Sequence, residues 1–416
     1  MLRHLFLPVR GNMLAPWLRM DWSLLILVVG LTAFGGLAIY STEVDSGLSY
    51  GLQHWILGGI GLGVAVVIAR WPYELLLQWH WVLYGLTNLS LVAVMVVGIS
   101  AKGAQRWITI GGFNVQPSEF AKLGVIITLA ALLHTHPAST LQAVVRALAI
   151  AAVPWALVFL QPDLGTSLVF GAICLGMLFW ANANPGWLVL LVSPLVSAIL
   201  FNLYFSGWIL WAVAITVIAW FTLPLPIILS PGVLLANFLS GRLGGLLWGL
   251  LKDYQKDRLI LFLNPEKDPL GGGYHLIQSR IAIGSGELWG RGLFDGTQTQ
   301  LNFIPEQHTD FIFSAVGEEL GFVGSIGLLV VFWLICLRLV VIACQAKENF
   351  GSLLAIGVLS MIAFQVAVNI SMTIGLAPIT GIPLPWMSYG RSALLTNFIA
   401  IGLVESVANH RPQKKY

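Results

Sequence analysis

"LGTSLVFGAICLGMLFWANANPGWLVLLVSPLVSAILFNLYFSGWILWAVAITVIAWFTLPLPIILSPGVLLANFLSG", residues 164–241, runs for 78 residues without one Asp, Glu, Lys or Arg. A helix needs about 20 apolar residues to cross a hydrocarbon layer about 30 Å thick, since each residue rises about 1.5 Å. The run is long enough for three crossings. Its apolar residues come in blocks and do not alternate, which argues against membrane-spanning strands. Further charge-free runs extend between Asp21 and Glu43, from Ser46 to Ala69, from Leu75 to Ala101 and from Asn349 to Gly390.

The whole chain has the same character. Of its 416 residues 57% are hydrophobic and 9% charged, where a soluble protein has about a quarter charged. Mean hydropathy is +0.86. The expected fold is an all-α polytopic membrane protein: a bundle of ten to twelve transmembrane helices with a large extracytoplasmic loop. Spans are expected near 22–42, 51–69, 76–98, 117–135, 143–160, 164–182, 187–204, 208–229, 232–251, 311–337, 351–375 and 387–407. The ninth carries Arg242 and four glycines from Gly241 to Gly249, so an interfacial helix is the alternative there. The first apolar segment is too long for a signal peptide and lacks a small-x-small site, so it reads as a retained anchor. Cys174, Cys336 and Cys344 lie in apolar runs without CxxC spacing and read as buried thiols. A net charge of +3 without a clustered basic patch gives no sign of a nucleic-acid surface.

Lys and Arg in loops set orientation. With the N-terminus inside, Arg3, Arg10, Arg19, Arg70, Arg146, Arg338, Lys347, Arg411, Lys414 and Lys415 fall on the cytoplasmic side. The opposite side then carries the loops 99–116, 161–163, 252–310 and 376–386. The loop 252–310 holds six basic residues against the trend, and 14 of the chain's 39 charged residues. A loop of that length in a compact protein is usually functional.

Four stretches carry polar residues that membrane burial does not explain. In "GAQRWITIGGFNVQPSEFAK", 103–122, Gly111-Gly112 reads as a turn and Ser118 as a helix cap, with Glu119 in the first turn, where the dipole favours an anion. Lys122 shares a helix face with Glu119, so the two can pair. Such a pair at a membrane rim points to a cavity, with snorkelling as the alternative. In "LQPDLGTS", 160–167, Asp163 reads equally as an N-cap and as a site residue. In "GSGELWGRGLFDGTQTQLNFIPEQHTDFIF", 284–313, the glycines lack the strand and GK[ST] context of a nucleotide loop. His308 and Asp310 form an HxD without further ligands. Thr309 or Asp310 reads as a cap for the span at Phe311, while Glu318-Glu319 fall about two turns into it. In "GLAPITGIPLPWMSYGRSALL", 375–395, three prolines break the helical pattern. Broken backbone at membrane depth has to be covered by protein or line a cavity, so a re-entrant loop is expected, with a surface loop as the alternative. Together these stretches outline a polar cavity holding Arg106, Lys122, Arg280 and Arg291 beside Glu119, Asp163 and Asp268. That charge pattern suits a lipid-linked anionic substrate.

"RWITIGGFNVQPSEFAK", "QPDLGTS", "DPLGGGYHLIQS", "PEQHTDFIFSAVGEELG" and "PITGIPLPWMSYG" occur in the order seen in the SEDS family (shape, elongation, division and sporulation). The chain resembles that family from about residue 22 to 408, and its 284–313 stretch looks more like the RodA branch than the FtsW branch. The resemblance implies a peptidoglycan glycosyltransferase that polymerises lipid II into glycan strands, with both termini cytoplasmic and typically ten spans. It places the essential acid of a DP-x-G-x-G-Y motif on Asp268. Inverting displacement of undecaprenyl pyrophosphate then needs a general base, and Asp268 is the candidate. Substrate-binding candidates are Arg106, Glu119, Lys122, Asp163, Gly271, Gly273, Tyr274, Gln278, Ser279, Arg280, His308, Ser388 and Tyr389. No firm cofactor is implied; a divalent cation, Mg or Mn, at the pyrophosphate is the one considered. Implied partners are lipid II, a class B penicillin-binding protein transpeptidase, the elongation machinery and membrane lipids. A lipid II flippase is the alternative function, and a scaffold without chemistry a third. Two departures stand out: about 45 residues, 205–250, precede the catalytic loop as an insertion, and the usual SYGGS motif reads Ser388-Tyr389-Gly390-Arg391-Ser392.

Overall fold

The computed structural model describes residues 20–43, 49–101, 104–250, 256, 261–262, 264–269 and 273–411. Twelve long helices account for most of it: α1 (Trp22–Ser41), α2 (Tyr50–Arg70), α3 (Leu75–Val97), α4 (Pro117–Thr135), α5 (Leu141–Leu160), α6 (Leu164–Trp180), α7 (Pro185–Leu203), α8 (Phe205–Thr222), α9 (Pro226–Leu250), α12 (Ile312–Gln345), α13 (Asn349–Thr373) and α14 (Arg391–Asn409). Eleven are long and apolar enough to cross a membrane. The exception, α6, has 17 residues, about 25 Å of rise. The ninth span is a helix throughout and packs lengthwise on α7 and α8. The protein is a multi-pass integral membrane protein.

Helices α4, α13 and α14 form the centre, with 78%, 67% and 83% of their apolar windows buried. Around them α3, α5 and α6 close one side, and α1, α2 and α12 the other. Small residues permit the closest crossing: a Cβ on Gly402 would stand 2.8 Å from the Ala65 backbone, so α14 and α2 meet almost backbone to backbone. α7, α8 and α9 pack on one another and reach the rest chiefly through α6. Cys174 is buried as expected, but Cys344 is exposed, because it lies on the outward side of the last turn of α12.

The structure adds strands that the sequence reading does not contain. Residues 99–101 and 104–115 make a small antiparallel sheet, β1 (Ile99–Ala101), β2 (Ala104–Ile110) and β3 (Phe113–Val115), turning at Gly111-Gly112. Two helix starts also differ from expectation. Pro117 takes the first position of α4, where its missing N–H costs nothing. The cap is then Gln116, and the Ser118 hydroxyl instead accepts from the Gln116 amide at 3.1 Å. α12 is capped by Phe311 without a side-chain bond, since Thr309 turns back to the Glu306 carbonyl. Asp163 does cap α6, accepting from the Thr166 N–H at 3.1 Å.

Helix α12 breaks at Gly321, where φ is +65°. The segment following α10 (Tyr274–Ser285) lies along the break and satisfies it. Arg291 and Gly292 N–H donate to the Glu318 and Glu319 carbonyls at 3.0 Å each, and Phe322 N–H donates to the Glu287 carbonyl at 2.9 Å. Gly290 and Gly321 face each other across this clasp, both at positive φ and too close for a Cβ. Gly286 and Gly290 of the 284–292 stretch are thus packing residues against α12. The Glu318 carboxylate, wholly buried, accepts from the N–H groups of Gln298 and Thr299 at 2.8 and 2.9 Å. It thereby caps the short α11 (Thr297–Gln300).

On the opposite face Asp21 ties three elements. Its Oδ2 lies 2.5 Å from Arg338 of α12 and 3.3 Å from Arg411 beyond α14, and its N–H donates to Glu405 at 2.9 Å. Burial opposes ionisation of Asp21, but bonds from Arg338, Ser23 and the Leu24 N–H outweigh it and hold the carboxyl below its usual range.

Gly290→Ala or Gly321→Ala should cost about 2 kcal/mol or more, whereas Gly284→Ala, with open space around it, should be close to neutral. Thermal unfolding of purified protein in detergent reads both. Asp21→Asn should cost about 1–3 kcal/mol, since the two arginines it leaves stay partly solvated. A lowered carboxyl stabilises above the ordinary aspartate range and loses that contribution as pH falls through the folded value. Wild-type stability should therefore fall below about pH 4, and that of the Asp21→Asn variant less steeply.

Candidate functional site

Pro117 fixes where α4 begins, and the helix period then sets Glu119 and Lys122 on its inner side. Lys122 Nζ lies 2.8 Å from Glu119 Oε2, with side chains 1% and 4% exposed. The lysine does not snorkel; it stays within the bundle. One step outward, Gln116 joins the next group. Its amide donates to Asp163 Oδ2 at 3.3 Å, and its N–H donates to the Ser392 hydroxyl at 2.9 Å. Asp163 also sits 3.7 Å from Arg106 on β2, whose guanidinium donates to the carbonyls of Gln161 and Pro162. Arg106 and Asp163 thus form one polar cluster tied to the start of α4 through Gln116, and Glu119 and Lys122 form a separate buried pair further along that helix. Asp163 is both a cap and an ion-pair partner.

A second group lies beside it. The His308 imidazole stacks on Tyr50 at 4.8 Å and 3°, and Tyr389 leans on Tyr50 at 4.8 Å. The Tyr389 N–H donates to the His308 carbonyl at 2.8 Å, which ties the 301–311 loop to the segment before α14. That segment, 376–390, is without helix and largely buried between Ile382 and Ser388. Protein covers it: Asn369 donates to the carbonyls of Asp310 and Ile382, His54 bonds the Trp386 carbonyl at 3.0 Å, and the Ser388 hydroxyl accepts from the Leu384 N–H. It is a packed segment and not an exposed surface loop.

Asp268 stands on a third element. A single 3-10 turn, Pro265–Lys267, ends at Asp268, which is exposed. The Gly273 N–H returns to the Asp268 carbonyl at 3.1 Å. A Cβ on Gly273 would collide with the Pro265 carbonyl, so glycine is what lets this loop close. Gly271 lies outside the described residues. Tyr274 then begins α10. Gln278 is half-buried. Ser279 faces inward, 2.6 Å from Ser314 and donating to the Thr373 carbonyl at 2.7 Å, and so joins α10 to α12 and α13. Arg280 is exposed, its chain passing Gly375. His275 stacks near Phe311 at 6.0 Å.

Beneath the Glu119–Lys122 pair a half-open apolar groove of roughly 320 Å³ runs between α2, α3, α4 and α14, past Thr87, Phe120, Gly124, Leu83 and Leu403. Among the described residues no three His, Cys, Asp or Glu side chains converge as metal ligands. Sequence reasoning missed Gln116, Tyr50 and Gln53 (which accepts from Tyr389 at 2.8 Å). Their only local signal is that Gln116 precedes a helix-starting proline.

A family model described as the cell cycle protein family of FtsW, RodA and SpoVE matches residues 20–413. The peptidoglycan glycosyltransferase MrdB of Escherichia coli is 37% identical over 396 residues, 94% of each chain. A chain of a solved peptidoglycan synthase complex that coordinates polymerization and crosslinking superposes with TM-score 0.71 at 28% identity, covering 95% of this chain and 99% of that one. The rod shape determining protein RodA of Thermus thermophilus gives TM-score 0.63 at 26% identity, with the same coverage.

Breaking the buried pair from one side should be costly. Glu119→Gln or Lys122→Met alone should destabilise the protein by about 3–5 kcal/mol, and the double variant by less than the sum. A thermal double-mutant cycle measures the coupling.

Proposed function

The chain belongs to the FtsW, RodA and SpoVE family of cell cycle proteins, and from that premise we propose that it polymerises lipid II into glycan strands during cell elongation, with Asp268 as general base. It is an enzyme of the peptidoglycan glycosyltransferase class to which its relatives are assigned. The observation that carries the reading is the placement of Asp268: an exposed carboxylate on a loop closed by Gly273, leading into a helix anchored on α12 and α13.

The acceptor's 4-hydroxyl attacks the anomeric carbon of the donor. The bond from that carbon to the diphosphate breaks, undecaprenyl pyrophosphate leaves, and the hydroxyl proton passes to Asp268. A hydroxyl is a weak nucleophile at neutral pH, and general-base help is worth roughly 10²–10⁴ in rate. Displacement with inversion turns an α-linked donor into a β-linked strand. The leaving diphosphate gains negative charge, which the field of Arg106, Lys122 and Arg280 stabilises. The described residues offer no converged donor set for a resident divalent cation, and no step is assigned to one. The apolar groove beside α4 suits the prenyl chain of a lipid-linked substrate.

In this reading both termini are cytoplasmic and the Asp268 loop is extracytoplasmic, consistent with the basic residues on the face of Arg338 and Arg411. The partner is a class B penicillin-binding protein transpeptidase of the elongation machinery, as suits a fold shared with a polymerising and crosslinking complex.

Purified Asp268→Ala protein should lose at least about 10²-fold in lipid II polymerisation in detergent, with its melting temperature unchanged. A variant that polymerises at the normal rate refutes the base assignment. Strand synthesis by wild type in detergent also excludes flipping as the sole activity, since there is no membrane to cross.

A further inference from the structure

The cations around the site differ in how they are compensated. Lys122 has Glu119 at 2.8 Å and Arg106 has Asp163 at 3.7 Å. Arg391, half-buried at the start of α14, has no carboxylate within ion-pair distance among the described residues. Its partners are neutral. Nε donates to the Tyr389 hydroxyl at 2.9 Å, and one Nη donates to Gln53 Oε1 at 2.9 Å. The same Gln53 oxygen takes the Tyr389 hydroxyl proton at 2.8 Å, so the three side chains close a ring. The guanidinium also lies over the Phe113 ring at 5.6 Å and the Tyr389 ring at 6.0 Å.

This network fixes the position of the guanidinium without neutralising it. A guanidinium carries five N–H donors, and two are spent here. The terminal Nη1 makes no bond within the described residues. Partly burying an uncompensated cation costs free energy unless an anion joins it. A planar fork held by one edge, with the other edge open, matches a phosphate or carboxylate oxygen pair. Its location gives the ligand. Ser392, the next residue, receives the Gln116 N–H, and Gln116 reaches Asp163 and through it Arg106. Tyr389 connects to His308 and Tyr50. Arg391 therefore stands at the junction of the two side-chain groups described above, on the face that carries the Asp268 loop.

We propose that Arg391 is an anion-binding residue of this site, holding a phosphate oxygen of the lipid-linked diphosphate; the ligand assignment rests on the polymerase reading. Gln53 and Tyr389 are its positioning residues.

The test uses the full chain in detergent, with thermal stabilisation by undecaprenyl pyrophosphate compared against undecaprenol, which has the same tail and no phosphate. Wild type should be stabilised more by the diphosphate, and added salt should weaken that preference. Arg391→Gln should lose the preference, and Arg391→Lys should keep part of it. In lipid II polymerisation Arg391→Gln should raise KM by about tenfold or more, with kcat falling less than KM rises. A diphosphate preference unchanged in Arg391→Gln overturns the proposal. So does an equal loss of kcat in the Gln and Lys variants with KM unmoved, which marks a structural bracket. Equal, Arg391-dependent stabilisation by phosphatidylglycerol overturns it too, by assigning the residue to ordinary headgroups. Wild-type protein that makes no strand overturns the polymerase reading and with it the named ligand.

Discussion

A carbonyl that leaves a helix inside a bilayer has no water to turn to, and each one left unpaired costs several kcal/mol. This protein interrupts helical backbone within its bundle in two places, and much of its remaining architecture answers that cost. The segment before α14 is held by Asn369 and His54, which reach its carbonyls from α13 and α2. The break in α12 is answered by the 286–292 segment, whose N–H groups meet the carbonyls the helix abandons. The broken backbone in turn lets His308, Tyr389 and Arg391 gather beside the Arg106 cluster, which continuous helices would hold apart.

The charges follow a related logic. Inside the bundle Lys122 comes with Glu119; at the rim Arg106 comes with Asp163; on the far face Asp21 is shared by two arginines. Each is a cost of burial met by a partner, and the pairs between elements join β2 to α6, and α1 to α12 and α14, by directional contacts that apolar packing alone does not supply. Arg391 departs from this pattern, since its partners Tyr389 and Gln53 are neutral.

The helices were legible because charge-free runs and a fixed rise per residue measure spans directly. All twelve overlap the expected spans, including α4, α5, α12 and α14, which carry charges, and the Gly111-Gly112 turn and the Asp163 cap follow from local chemistry. The misses share a cause. Pro117 pre-empted Ser118, and Glu306 drew Thr309 away from the start of α12, so in each case a neighbour's competing bond decided the cap. The Arg391 ring joins positions 336 and 338 residues apart, and no window on the sequence contains it. Gly286 and Gly290 were visible, but their role depended on a kink in another element. Asp268 was singled out by motif rather than by physics, since one acid in a charged loop resembles its neighbours until the loop closes.

The helices α7, α8 and α9 pack on themselves and touch the centre chiefly through α6. α8 and α9 pack on each other and are each long and apolar enough to span a bilayer, and a pair of spans returns a chain to the side it left. Adding or deleting such a pair widens or narrows the molecule's footprint in the bilayer while every later loop keeps its address. A membrane protein can in this way vary its lateral outline, and the lipid and neighbours it meets there, without relocating its chemistry.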